Sequence, residues 1–419
     1  MSLFELIAVL LTLAAILGYL NARYLRLPTT IGIMLLSLIF SFILIIVGLF
    51  EPSIEQVAES IVSQFDFGDA LLDVMLCYLL FAGALHVDLS DLAQQKWVIA
   101  LMATVGVVLS TALIGTATYF LLPLFGFGTK FIYCLLFGAL ISPTDPVAVL
   151  GILKKAGVGK SLETKITGES LFNDGVGVVV FLALLGIATG EHEFSAAYIG
   201  ELFAVEVLGG ILFGGAIGFI GYALLKQIDN YQVEVLITLA LVTGGYALAS
   251  HFHLSGPLAM VVSGLMIGNH GRLLAMSDIT RKHLDLFWEL IDEILNALLF
   301  ALIGLELLIV SNQFSAQTFF LGLIVIGLVL ACRCIAVSVP VVALRPFRQF
   351  SDGAIKMLTW GGLRGGISVA LALALPEEAE RGLFLKLTYM VVIFSIAVQG
   401  LTVGSLYRKI GVKSLKNNK

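Results

Sequence analysis

Two acids, a hydroxyl and an amide occupy one turn of the segment Gly-Glu-Ser-Leu-Phe-Asn-Asp-Gly at 168–175. Glu169 and Asn173 are four residues apart, so they share one face of a helix. Ser170 and Asp174 share a second face, about 100° further round the helix axis. Oxygen ligands of these kinds suit hard cations such as sodium. A structural hydrogen-bond network could use the same groups, but two acids in one turn exceed its needs, so the pattern favours a cation site.

A second motif places an acid where a helix is predicted to break. The segment Ser-Pro-Thr-Asp-Pro at 142–146 contains two prolines, which remove two amide donors from an apolar run. Each proline also disfavours helical geometry at the residue before it, here Ser142 and Asp145. A break frees carbonyl groups, which a membrane tolerates only where they line a cavity or meet protein partners. An ordinary proline kink is the alternative, but the carboxylate of Asp145 at the break favours an ion site.

A third motif, Gly-Gly-Leu-Arg-Gly-Gly at 361–366, surrounds Arg364 with four glycines. Glycine weakens a helix and lets another backbone approach closely. The motif therefore predicts a second interrupted helix. Two interrupted segments at corresponding places in two halves of a chain are typical of inverted-repeat transporters.

The composition places these motifs in a membrane. Of 419 residues, 59% are hydrophobic and 13% are charged, whereas about a quarter of the residues of a soluble domain are charged. Apolar runs long enough to span a bilayer predict an all-α membrane protein with thirteen transmembrane helices, at 3–20, 30–50, 70–87, 97–122, 130–153, 164–189, 199–225, 233–250, 255–269, 287–310, 316–343, 354–375 and 384–407. The two interruptions then fall in the fifth member of each half of an inverted repeat, helices 1–6 and helices 8–13.

Basic residues predict the orientation of the chain. With the N-terminus outside and the C-terminus in the cytoplasm, 19 of the 24 Lys and Arg residues fall in inside loops or the tail. This distribution is what the positive-inside rule requires. The predicted location is therefore the cell membrane, with the bilayer as one partner. The net charge of −5 argues against a nucleic-acid partner, and no cofactor is expected.

The charges predicted to lie within the membrane are the acids Asp145, Glu169, Asp174 and Glu306 and the arginines Arg333 and Arg364. Three core acids (Asp145, Glu169 and Asp174) face the two arginines, and each buried arginine needs a partner. We pair Arg333 with Glu169 and place Arg364 near Asp145 at the breaks, although charge counting alone leaves other pairings open. In this assignment Asp174 is the unmatched core acid. Burial without a counter-charge favours the neutral form of a carboxyl group, so such an acid could exchange a proton for a cation. Glu306 is either an entrance charge or a structural acid.

The three motifs, in this order along the chain, resemble the signatures of bacterial NhaP-type sodium/proton antiporters of the cation:proton antiporter-1 family, and the resemblance covers nearly the whole chain. It implies an NhaA-like antiporter fold with two crossed discontinuous helices. It also implies a homodimer, in which a core (transport) domain moves against a dimerisation domain. The implied boundaries are 97–190 and 316–407 for the core, 1–90 and 199–310 for the dimerisation domain, and 408–419 for a short cytoplasmic tail.

The resemblance also implies roles for single residues. Asp174 is expected to be the principal carboxylate for both cation and proton, with Asn173 beside it, and Glu169 is expected to pair structurally with Arg333. The implied sodium ligands are Asp174, Asp145, Ser170 and the backbone oxygen of Thr144. An Asn-Asp pair at 173–174 is associated in this superfamily with electroneutral exchange.

The chain departs from its relatives at one position. Many of them carry an acid after the Leu-Phe of the third helix, whereas Ala82 follows Leu80-Phe81 here. An acidic ligand is therefore missing, and a substrate preference inferred from that ligand does not transfer to this chain.

The predicted function is secondary antiport of a monovalent cation, most simply Na⁺, against protons by elevator-type alternating access. K⁺ or Li⁺ exchange by the same fold is the alternative. A passive channel would need a continuous pore with rings of carbonyls or charges. An intramembrane hydrolase built on Ser170 would need a general base, and no histidine is predicted at mid-membrane. No ATP-binding loop is found in the sequence, and enzymatic activity is not expected.

Overall fold

The computed structural model describes residues 3–48, 50–51, 53, 75–190, 195–271, 276–311, 315–348, 350–351 and 353–417. Within these ranges the secondary structure consists of helices joined by turns and short loops. The α-helices are, in chain order, α1 (Leu3–Leu20), α2 (Thr29–Gly48), α3 (Leu76–Leu85), α4 (Leu89–Ala103), α5 (Val105–Leu121), α6 (Phe131–Ile141), α7 (Val147–Lys155), α8 (Lys160–Ala188), α9 (Ala196–Phe203), α10 (Gly209–Leu225), α11 (Tyr231–His251), α12 (Gly256–Met266), α13 (Asp278–Ser311), α14 (Ala316–Leu344), α15 (Ala354–Trp360), α16 (Gly366–Leu373), α17 (Arg381–Phe394) and α18 (Leu401–Asn417).

The prediction of an all-helical membrane protein is confirmed. Eight helical stretches in the described part of the chain are long and apolar enough to cross a bilayer. The remaining predicted spans correspond to shorter helices, to pairs of short helices, or to the long and more highly charged α13. Residues 70–74, at the start of the third predicted span, lie outside the described residues.

Several helices extend beyond the ends of their apolar runs. Helix α4 begins at Leu89 rather than at 97, α13 begins at Asp278 rather than at 287, and α18 continues to Asn417 rather than ending at 407. Hydropathy ends a span at the first charged turn, whereas caps and backbone hydrogen bonds decide where a helix begins and ends. At α4 the side chain of Asp88 accepts hydrogen bonds from the N–H groups of Ser90 and Asp91.

Both predicted helix breaks are present. Residues 142–146 separate α6 from α7, and residues 361–365 separate α15 from α16. The two interruptions are in direct contact, because the N–H of Asp145 donates a 2.8 Å hydrogen bond to the carbonyl of Leu363 in an isolated antiparallel bridge. The irregular backbone of each break thus supplies a hydrogen-bond partner for the other, in surroundings formed by apolar helices.

Helix α13 lies between the N-terminal helices and the breaks. It packs against α2 and α3 on one side and against α16 and α17 on the other. The hydroxyls of Ser37 and Ser41 on α2 donate 2.7 Å hydrogen bonds to the carbonyls of Ala301 and Gly304 on α13. These bonds hold α13 against α2, so that its opposite face is directed at the interrupted helices.

Candidate cation site

A cavity of about 510 Å³ reaches from an exposed mouth to the interrupted helices. Asp88 lies at the mouth and is exposed, whereas Asp174 on α8 also lines the cavity and is only 6% exposed. Thr144 and Asp145, from the first break, line the cavity together with Asp174. The structure therefore brings together three of the residues that the sequence nominates as cation ligands.

Asp174 has no counter-charge. Within the described ranges, no hydrogen bond or ion pair joins its carboxylate to another residue, and the charged group that acts on it is a second acid, Asp145. A buried acid of this kind is expensive to keep ionised unless a cation approaches it. Proton or cation binding at Asp174 therefore neutralises an unfavourable buried charge.

The neutral polar residues of α8 are directed at the first break. The Asn173 side chain donates to the Thr144 hydroxyl at 2.8 Å and accepts from the Thr144 N–H at 3.3 Å. The Ser170 hydroxyl lies 3.1 Å from the same Thr144 hydroxyl. Among the described residues, Asn173 and Ser170 do not line the cavity. Both residues contact Thr144 and thereby tie the broken backbone to α8 beside Asp174.

Gly365 gives Asp145 the space that it occupies. A Cβ atom at position 365 would lie 2.6 Å from Oδ2 of Asp145 and 2.7 Å from its Cβ. No larger residue fits there without displacing the carboxylate. The second break therefore positions Asp145 in two ways. The Leu363 carbonyl accepts a hydrogen bond from its N–H, and Gly365 leaves room for its side chain.

Replacing Gly365 with alanine is expected to lower the apparent affinity for the transported cation about tenfold, because overpacking a tight site costs about 1–3 kcal/mol. The Cβ must displace Asp145, whereas the bridge backbone can remain. Gly327→Ala, on α14 with nothing within 4 Å of the added Cβ, is the matched control. The measurement is cation-dependent proton flux by both variants in liposomes, and equal affinities would contradict the role given to Gly365.

The two arginines lie around the breaks and act differently. Nη2 of Arg333 lies 2.6 Å from Oε1 of Glu169, in an ion pair whose side chains are 5% and 2% exposed. The same Nη2 donates to the carbonyl of Leu358 at 3.2 Å. Gly362 permits this arrangement, since a Cβ there would lie 2.8 Å from Nε of Arg333. The pair links α8 to α14 and to the end of α15.

Arg364 satisfies the carbonyls that the first break frees. Its Nη1 donates to the carbonyls of Ser142 at 2.6 Å and Pro143 at 2.9 Å, and its backbone N–H donates to the hydroxyl of Ser395 at 2.9 Å. Arg364 thus lies at the breaks, as the charge count places it. The groups that its guanidinium contacts are carbonyl oxygens, whose partial negative charge it neutralises.

The cavity carries an excess of negative charge. Its lining acids are Asp88, Asp91, Asp145, Glu163, Asp174, Glu289 and Asp292, and its lining lysines are Lys154 and Lys160. Each lysine is paired with a lining acid, Lys154 with Glu163 at 3.4 Å and Lys160 with Asp91 at 2.5 Å. At the mouth, hydrogen bonds from the Ser90 hydroxyl and from backbone N–H groups hold the pKa of Asp88 below its usual value. A cleft lined mainly by one sign of charge concentrates ions of the opposite sign, here cations.

Three lining residues of α13 were missed by sequence reasoning, namely Glu289, Asp292 and Asn296. The acids near the start of this apolar run look like ordinary helix-end charges. Their spacing of three and then four residues was the available signal, because it puts all three on one face of a helix. Ala82, which replaces a common family acid, also lines the cavity.

Two interrupted helices in contact beside an unpaired intramembrane acid, at the end of a negatively charged cavity, define a secondary transporter for cations. The chain belongs to the sodium/hydrogen exchanger transmembrane family, which matches residues 9–409. It is 54% identical to the Na⁺/H⁺ antiporter NhaP of Pseudomonas aeruginosa over 97% of this chain and 96% of that protein. It is 37% identical to the Na⁺/H⁺ antiporter NhaH of Halobacillus dabanensis over 93% and 94%.

A solved structure has the same fold. It is that of the sodium proton antiporter MjNhaP1 from Methanocaldococcus jannaschii, which superimposes with a TM-score of 0.77 over 98% of this chain and 99% of that one. Sequence identity between the two is 20%, so this likeness concerns the fold alone.

Proposed function

We propose that this chain exchanges Na⁺ for protons across the cell membrane as a secondary antiporter. The observation that carries the proposal is the buried, unpaired carboxylate of Asp174 at the inner end of an acidic cavity. One carboxylate open to both ions couples their movements, because it holds either a proton or a cation. The family membership and the two antiporter relatives support the choice of Na⁺, and K⁺ or Li⁺ is the alternative.

The proposed sodium ligands are the carboxylates of Asp174 and Asp145, the backbone oxygen of Thr144, and the Ser170 hydroxyl. Thr144 links this set, since its side chain contacts both Ser170 and Asn173. In this proposal Asn173 holds the break in place, while Asp174 carries the proton. The Asn173–Asp174 pair, which the family resemblance associates with electroneutral exchange, supports the exchange of one proton for one cation.

We further propose thirteen membrane crossings in an NhaA-like inverted repeat, with the N-terminus outside and the C-terminus in the cytoplasm. Lys154 and Lys160 lie at the cavity mouth, so the positive-inside rule puts that mouth in the cytoplasm. The proposed core, 97–190 and 316–407, contains both breaks and the Glu169–Arg333 pair. The proposed dimerisation domain, 1–90 and 199–310, contributes the α3 and α13 walls of the cavity. Elevator movement of the core in a homodimer would then carry Asp174 between the two sides.

Flux in proteoliposomes tests the proposed function. An antiporter acidifies or alkalinises the lumen when a gradient of Na⁺ is imposed without ATP. A passive channel gives an uncoupled current instead, and a hydrolase gives neither signal. A series of Li⁺, Na⁺ and K⁺ gradients ranks the cations, and an absence of proton flux with every cation would reject the proposal.

Direct competition at Asp174 predicts a specific dependence on pH. A bound proton excludes the cation, so below the pKa of the site each unit decrease in pH should raise the apparent KM for Na⁺ about tenfold. Exchange should also decline at high pH, where no proton loads for the return step. Because Asp145 lies close enough to share the titration, the apparent pKa belongs to the pair.

The measurement is Na⁺/H⁺ exchange at several pH values and several Na⁺ concentrations. We expect a bell-shaped pH profile, with an acid limb that moves to lower pH as Na⁺ increases. An acid limb that stays in place at all Na⁺ concentrations would exclude direct competition and indicate a separate proton-sensing group.

A further inference from the structure

From residue 292 to its end, helix α13 carries two acids on one line, with a leucine between them. Asp292, Leu299 and Glu306 follow one another at intervals of seven residues. Positions seven residues apart on an α-helix differ by only about 20° around the axis. The three side chains therefore lie on one face of α13. Ser37 and Ser41 hold another face of this helix against α2. The face that carries the acids is therefore directed at the interrupted helices.

Each of the three positions faces a different part of the proposed core. Asp292 interacts electrostatically with Asp145 at the first break. The Leu299 side chain fills the space that a Cβ would need at Gly366, where α16 begins. Glu306 interacts electrostatically with Tyr389 on α17. The three residues thus face the core at successive positions along α13, from the cavity towards the C-terminal end of the helix.

The two acids differ in their access to water. Asp292 lines the open cavity, where Asn296 donates a 3.1 Å hydrogen bond to its carboxylate. Glu306 is outside this cavity and only 6% exposed. Leu299, between them, is 4% exposed and belongs to the main apolar cluster. The leucine therefore ends the cavity on the line that joins the acids.

Glu306 and Tyr389 lack the partners that buried polar groups normally have. Within the described residues no hydrogen bond or ion pair joins the Glu306 carboxylate to another group. The buried Tyr389 hydroxyl has no hydrogen-bond partner either. Most buried polar side chains in proteins are paired, so an exception calls for an explanation. A structural acid would be expected to have acquired a donor. An acid that meets water and cations when the core moves needs none in this state.

We propose that Asp292 and Glu306 attract the transported cation on opposite sides of the membrane, with Leu299 as the apolar divider between the two paths. Asp292 serves the cavity that is open here, which Ala82 also lines without supplying an acid. Glu306 serves the path that opens on the outer side when the core has moved past α13. The inference rests on the proposed antiport and on the proposed orientation of the chain.

Side-specific kinetics test the inference. In proteoliposomes with uniformly oriented protein, we expect Asp292→Asn to raise the apparent KM for Na⁺ about tenfold when Na⁺ is on the cytoplasmic side only, since it removes one nearby charge. Glu306→Gln should do the same only when Na⁺ is on the outer side. Glu293→Gln is the control, because Glu293 is exposed on another face of α13. Equal effects on both sides, or kinetics like those of the control, would overturn the inference.

Failure of this inference and failure of the proposed function give different results. If wild-type protein shows no Na⁺-dependent proton flux, the antiport itself is rejected. If Glu306→Gln does not fold, Glu306→Cys is placed in a Cys334→Ser background, since the other three cysteines are buried. A membrane-impermeant maleimide should then label position 306 from the outer side alone. Labelling from the cytoplasmic side, or from neither side, would overturn the role of Glu306.

Discussion

Asp174→Asn is expected to abolish cation/proton exchange and to leave a folded protein. The amide cannot take up and release a proton. The substitution also removes a buried carboxylate that has no hydrogen-bond or ion-pair partner among the described residues. Because no ion pair is broken, the free energy of unfolding should stay the same or rise. The measurements are proton flux in proteoliposomes and thermal unfolding in detergent.

Asp278→Asn is the matched control, since it makes the same chemical change at a side chain that is 88% exposed. Exchange by this control should equal that of the wild-type protein. Transport by Asp174→Asn at the wild-type rate would reject the proposed mechanism, even if the fold and the family are unaffected.

Glu169→Gln is expected to reduce stability by about 3–5 kcal/mol, because it leaves Arg333 as a buried cation without its counter-charge. The contact is 2.6 Å between side chains that are almost fully buried. Cation affinity should change less than stability, since the pair lies behind the breaks and does not line the cavity. Chemical denaturation and cation titration of the same variant separate the two effects.

A double-mutant cycle isolates the pair. Glu169→Gln combined with Arg333→Gln should recover much of the lost stability, because no uncompensated charge remains. The exposed pair Asp278–Arg281 provides the reference cycle, at 2.7 Å in solvent, where coupling is typically below about 1 kcal/mol. A buried pair that couples no more strongly than this reference would show that Arg333 is stabilised by other groups, such as the Leu358 carbonyl.

The breaks were predictable from sequence because their causes are local. Prolines at 143 and 146 disrupt a helix whatever its tertiary surroundings, and so do the glycines around Arg364. Counting charges also showed that the two buried arginines need acidic partners, whereas the choice of Glu169 for Arg333 came from the resemblance to the antiporter family. The breaks and the charge count did not require the position of a distant element to be known.

The features of the site that were not predicted depend on how each side chain is oriented in the folded protein. Helical spacing groups Ser170 with Asp174, but it does not tell that Ser170 contacts Thr144 while Asp174 faces the cavity. Asp292 looks like an interfacial charge, and only the packing of α13 against the breaks puts it in the cavity wall. Hydropathy likewise misses the polar first turns of α4 and α13, because a capped helix can start in water.

Arg364 satisfies two carbonyls that lie 222 and 221 residues earlier in the chain. At ordinary synthesis rates the ribosome takes about 10–45 s to translate that interval. During this time the first interrupted helix is already available for insertion, but its freed carbonyls lack the guanidinium that neutralises them. Water, lipid head groups or the insertion machinery must shelter residues 142–146 until the second break is made. Biogenesis of this transporter therefore passes through a stage in which the N-terminal half has been inserted into the membrane but its ion site is incomplete. Truncated chains that end before Arg364 should be recognised as incomplete by membrane quality control.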